Sequence, residues 1–155
     1  MNIKIKGVVK LDVYDKDGNL KDTTGWIKNT ITNASLAAVS GLVGNTGSQT
    51  AFTYLAVGTS STAESAAHTA LQAEITDTGL ERAAATVSRV TTTQTNDTLQ
   101  LYKEWTATGS KTVEEVGIFN AASTGVMLGR KLTTSKAVVD TDKLQVTYKV
   151  IFAGA

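Results

Sequence analysis

The chain has 155 residues, 41% hydrophobic and 19% charged, with a formal net charge of +1 and neither cysteine nor proline. That length suits one domain over residues 1–155 with a core of its own, and the composition excludes a disordered chain. Near-neutral charge argues against a strong electrostatic hold on nucleic acid or anionic membrane, and the missing thiols exclude disulfides and thiolate metal sites.

Met1 leads directly into a polar–apolar alternation, with no apolar core of a secretory signal and no run of about 20 apolar residues, so cytoplasmic synthesis as a soluble protein is expected. Ile3, Ile5, Val9, Leu11 and Val13 fall on one face of this segment and Lys4, Lys6, Lys10 and Asp12 on the other, the period of a half-buried strand. Asp15 to Asn19 reads as a hairpin turn, with Gly18 and Asn19 suited to positive φ. From Asn29 to Val43 the apolar spacing changes to three and four, which predicts a helix near residues 30–43 capped by Asn29, Thr30 or Thr32. Phe52–Val57 is a short buried strand, Thr59–Ala67 a loop, and Thr69–Ile75 one or two helical turns. Val87–Thr93 and Leu99–Ala107 are antiparallel strands about a turn at Gln94–Asp97, with Leu99, Leu101 and Trp105 sharing a face with Lys103. Val113–Phe119, Val126–Leu132 and the alternation Leu144, Val146, Tyr148, Val150, Phe152 complete the series. The expected fold is mainly β, an antiparallel sandwich or barrel of about eight strands with one helix, and the 26 threonines favour it.

Short motifs suggest chemistry that their surroundings do not support. Asp77-Thr78-Gly79 matches the aspartic-protease triplet, but that chemistry needs two carboxylates and the preceding residues are not an apolar strand. Asp15, Asp17 and Asn19 have calcium-loop spacing, yet Leu20 and Trp26 stand where Gly and Glu are required. His68, the only histidine, lies in a polar loop without companions for a zinc site or a positioned triad. Gly41, Gly44 and Gly47 lack phosphate-loop spacing. Glu114 and Glu115 are adjacent on a strand, so their side chains point apart and cannot act as a facing acid pair. Trp26, Tyr54 and Trp105 would be the stacking residues of a carbohydrate-binding module, against which core packing is the alternative. No enzyme activity, metal or cofactor is expected.

Four segments together carry a resemblance: Lys28 to Ala34 leading into the Ala-rich helix; Tyr54 to Thr59 followed by Thr69 to Ile75; Val113 to Asn120 with Gly125 to Arg130; and the alternating last strand. In this order they resemble small structural proteins of tailed-bacteriophage virions, described as capsid decoration, tail or fibre components. The resemblance implies a virion location, a non-enzymatic role, contacts with the major capsid protein or other virion subunits, and homo-oligomers within the particle, with no nucleic-acid or membrane partner. Capsid decoration is the first expectation. A tail component (tube, tip or short fibre head) is the alternative, and the absence of shaft repeats counts against a long receptor-binding fibre. Within Glu115–Phe119 the resemblance makes Gly117 a place of close backbone approach and lets Ile118 and Phe119 fill core or interface. The candidate partner interface is therefore Lys4, Lys6 and Lys10 on the first strand, together with Ile118 and Phe119.

Overall fold

The alternation of the N-terminal segment becomes a twelve-residue strand, β1 (Ile3–Tyr14), in a computed structural model that describes residues 1–154. Val9, Leu11 and Val13 are buried while Lys4 and Lys6 stay exposed. The turn after it forms at the expected place: the Asp15 carboxylate accepts the N–H groups of Asp17 and Asn19, each at 2.9 Å, and Gly18 takes the positive φ of 85°, whereas Asn19 does not adopt positive φ. β2 (Leu20–Thr23), β3 (Ile27–Lys28) and β4 (Thr30–Ile31) follow, then α1 (Asn33–Gly44) and β5 (Tyr54–Gly58). The remaining strands are β6 (Ala83–Ala84), β7 (Thr86–Val90), β8 (Thr98–Thr106), β9 (Lys111–Phe119), β10 (Met127–Val138) and β11 (Lys143–Gly154). Of these eleven strands three have only two residues, which leaves the eight expected from the sequence.

The strands form two antiparallel sheets. One has the order β2-β1-β11-β8-β7, with β3 also paired to β1; the other has the order β4-β10-β9-β5-β6. Both sheets end in open strands, so the arrangement is a sandwich and not the closed barrel that the alternation also allowed. The core lies between them. Val9, Leu11, Leu101, Leu144, Val146 and Tyr148 of the first sheet meet Leu55, Val57, Val116, Ile118 and Leu128 of the second, all essentially without exposure.

Two expectations need correction. The helix begins at Asn33 rather than at residue 30, because Thr30 and Ile31 pair with Arg130 and Gly129 as a strand. Thr32 is the cap, its hydroxyl accepting the Ser35 N–H at 3.3 Å. Residues 69–75 form no helix. Their N–H groups are taken elsewhere: those of Gln72 and Ala73 donate to the Glu115 carboxylate at 3.1 and 2.7 Å, and that of Ile75 to the Val57 carbonyl at 2.9 Å. A segment whose donors are held by distant acceptors has none left for its own helical turns.

Candidate functional site

The two faces of the second sheet explain where its charged residues go. Val116 and Ile118 point into the main core, while Phe119 joins Ala56, Leu71 and Met127 in a smaller cluster on the opposite face. That outer face is covered by the chain between β5 and β6. Glu115 and Arg130 sit beneath this cover, both side chains fully buried, with Nε to Oε2 at 2.6 Å. Arg130 also donates to the Thr62 carbonyl at 2.9 Å and the Ala63 carbonyl at 3.4 Å. The pair thus fastens both ends of the covering segment: Arg130 holds residues 62–63 and Glu115 holds 72–73. A second clasp is Arg82, which stacks 3.6 Å from the Phe119 ring centre, pairs with Glu74 at 2.5 Å and reaches the carbonyls of Ala121 and Thr124. Glu64 completes the arrangement by pairing with Lys131 at 2.6 Å. Burial pushes its carboxyl up, but hydrogen bonds from Lys131, Thr30 and the Leu132 N–H outweigh this and leave it below the usual range.

The sequence motifs fall into this framework as structural parts. Asp77 lies in an exposed turn, paired to Lys111 at 2.8 Å, with Thr78 and Gly79 at positive φ. His68 is half-buried, with Nδ1 3.4 Å from an Arg130 nitrogen. Glu114 and Glu115 do point apart: Glu114 accepts from the Ser135 hydroxyl at 2.6 Å while Glu115 is inside. Asp15 is occupied by its own turn, where the Asn19 N–H and side chain hold its carboxyl low. Among the described residues no three His, Asp or Glu side chains are grouped closely enough to hold a metal ion. Gly41, Gly44 and Gly47 lie at the end of α1 and in the loop beyond it. Trp105 is in the core and Tyr54 packs half-buried against the smaller cluster. Gly117 meets the expected crowding, since a Cβ there would stand 2.9 Å from Leu71 and 3.0 Å from Phe119.

Ile118 and Phe119 cannot serve as a partner surface, because they are 0% and 1% exposed and fill the two apolar clusters. The surface half of the candidate interface is placed differently from residue to residue. Lys10 is tied down, pairing with Asp12 at 3.0 Å and lying 5.6 Å from the Trp26 ring centre. Lys4 and Lys6 are exposed and have no acidic partner among the described residues. The sheet register extends this face in rows: Lys28 opposes Val8, which opposes Lys149, and Lys6 opposes Ile151. Lys149 stands 4.7 Å from the same Trp26 ring, which is 48% exposed. The outward face of β1, β3 and β11 is thus a basic surface with one exposed indole, and Lys28, Lys149 and Trp26 belong to it although the first-strand alternation alone did not indicate them.

No curated protein and no solved structure matches the chain. A family model described as podophage GP4 fiber I protein gp80 matches residues 26–151, most of the chain. The match spans the buried Glu115–Arg130 pair, the smaller apolar cluster, the main cluster apart from its β1 residues, and all strands after β2 except the end of β11. The chain therefore belongs to the gp80 fiber I protein family, a family of structural proteins of tailed-phage virions.

Proposed function

We propose that the protein is a building block of the tail or fibre apparatus of its virion, acting through contacts with other tail and fibre subunits and with its own copies, and not by catalysis. The observation that carries this reading is the family match over residues 26–151, whose description is that of a fibre protein. It reverses the order of the two sequence expectations, in which decoration of the capsid and contact with the major capsid protein came first. The non-catalytic part is supported by the way candidate acids are engaged: Glu115 by Arg130, Asp77 by Lys111, and Asp15 by its own turn. Quantitative mass spectrometry of purified particles tests the placement. A tail or fibre subunit should be present at on the order of ten copies, set by the closed symmetry of a tail. A count comparable to the major capsid protein would return the decoration reading, and absence from particles would end both.

A further inference from the structure

The flank of β1 is covered unevenly. β2 pairs with Asp12–Tyr14 and β3 with Val8–Val9, and the last contact on that side is the Asn29 N–H to the Gly7 carbonyl at 3.1 Å. At Asn29 the chain departs for the other sheet, where Thr30 and Ile31 join β10. Residues Ile3–Lys6 are left with β11 on one side and no strand on the other. The direction of their polar groups follows from their neighbours. The Gly7 and Leu11 carbonyls both accept from the β2–β3 side, and the Leu11 N–H donates to Thr24 on that side. Alternate residues of an antiparallel strand direct N–H and C=O the same way, so Ile3 and Ile5 present theirs to the open flank. A cavity of about 510 Å³ lies along it, lined by Ile5, Gly7, Asn29, Ile31 and Ile151 among others. Asn29 Oδ1 is buried there without a hydrogen-bond partner.

We propose that the Ile3–Lys6 flank of β1 is an acceptor site for an extended, acidic segment of a neighbouring virion subunit, which adds to the sheet as a further strand. Backbone groups of Ile3 and Ile5 supply the pairing. Apolar side chains of the incoming segment enter the cavity beside Ile5 and Ile31, and its acidic side chains meet Lys4, Lys6 and Lys28 on the outward face. Charge decides between this occupant and a second copy. Two β1 flanks pairing antiparallel would bring Lys4 and Lys6 against their own counterparts, and like charges across a strand pair are destabilising. The inference rests on the reading that the protein works by docking to other subunits, but it is tested on the isolated full chain, so its failure leaves the particle copy number untouched.

The experiment titrates the isotope-labelled full chain with a short capped peptide alternating Glu with Val and Thr, and with the same peptide carrying Lys for Glu. The acidic peptide should shift the Ile3, Ile5 and Gly7 amide signals and slow their hydrogen exchange, and added salt should weaken it. The basic peptide should do neither. Lys4→Gln with Lys6→Gln should weaken binding about tenfold, as lost charge complementarity does. Ile3→Pro removes an outward N–H while leaving the bonds to β11, so it should weaken binding of the acidic peptide and reduce the protection it gives at Ile5, in a chain whose spectrum away from residues 2–4 is unchanged. Absence of binding, equal response to the basic peptide, or protection at Thr86–Val90 instead would overturn the proposal. Concentration-dependent dimerisation of the free chain with Ile3 and Ile5 protected would overturn it in favour of a second copy.

Discussion

Arg130 is the largest fully buried side chain of the protein, and its cost of burial is met by an unusual number of partners. Besides the Glu115 carboxylate it holds the Thr62 and Ala63 carbonyls, while Glu115 accepts two backbone N–H groups. A buried ion pair can often be exchanged for apolar residues without loss, but here the exchange would also strand those backbone groups. Glu115→Ala leaves the guanidinium buried and unpaired, and should cost about 3–5 kcal/mol in denaturant unfolding. That is a large share of the roughly 5–15 kcal/mol expected for a domain of this kind. Amide exchange should rise selectively over residues 62–73. A loss below about 1 kcal/mol would show that the covering segment is held by its apolar contacts and not by the pair. Asn29 shows the opposite economy: it is wedged between Gly7 and Gly129, where any Cβ would collide with it, and it donates to the buried Tyr148 hydroxyl.

At the scale of elements, β1 and β11 were legible because their side chains alternate between core and solvent over a long span, and period two has no other reading. Val113–Phe119 was legible as buried, but a continuous apolar run does not say what covers each face. Only the packing separates Ile118 in the main core from Phe119 under the covering segment. That segment itself, residues 59–82, has no period, and its order comes from Glu115 and Arg130, which lie far from it in sequence, and from its own Arg82, which reaches the distant Ala121 and Thr124 carbonyls. The open flank of β1 was half legible: alternation turns Lys4 and Lys6 outward, but where β3 stops covering the strand is set by the departure at Asn29. The β7–β8 turn was read correctly and its lock can be tested. The Gln94 N–H holds the Asp97 carboxyl well below the usual range, helped by the N–H groups of Thr92 and Thr93 and the Thr98 hydroxyl, against a smaller opposing effect of desolvation. Because the folded value is depressed, this carboxylate stabilises fully above the ordinary aspartate pKa of about 3.9 and loses its effect as pH falls toward the folded value. Asp97→Asn should therefore lower the melting temperature at neutral pH and flatten its decline below about pH 4. Asp22, held low chiefly by Lys136, and Glu64 keep part of that decline. An unchanged acid limb in the variant would mean that the turn already forms without the carboxylate.

The whole molecule is closed by its most distant pairing. β1 and β11 run together over twelve register positions, from Ile3 with Gly154 to Tyr14 with Lys143, near the middle of the larger sheet. Until that pairing forms, Val9, Leu11 and Val13 cannot meet Val146 and Tyr148, and the inner face of the sheet is incomplete. Bringing such distant segments together costs loop entropy before any contact is returned, so folding is expected on the scale of milliseconds to seconds, as for sandwiches of high contact order. The same register places the two ends of the described chain side by side, which suggests a direct test. A circular permutant that joins the C-terminal end to Met1 through a short Gly-Asn-rich linker, and opens the chain in the exposed loop at residues 45–48, turns the longest-range pairing into a hairpin. Its core is unchanged, so equilibrium stability should stay within about 1–2 kcal/mol of the parent, since insertions and new ends at exposed loops are tolerated. Its folding rate in stopped-flow measurements should rise by about tenfold if the pairing belongs to the folding barrier. Equal folding rates, with any change confined to unfolding, would place the union of β1 and β11 after the barrier, and would point to a nucleus in the β7–β8 and β9–β10 pairs, whose paired strands are already close in sequence.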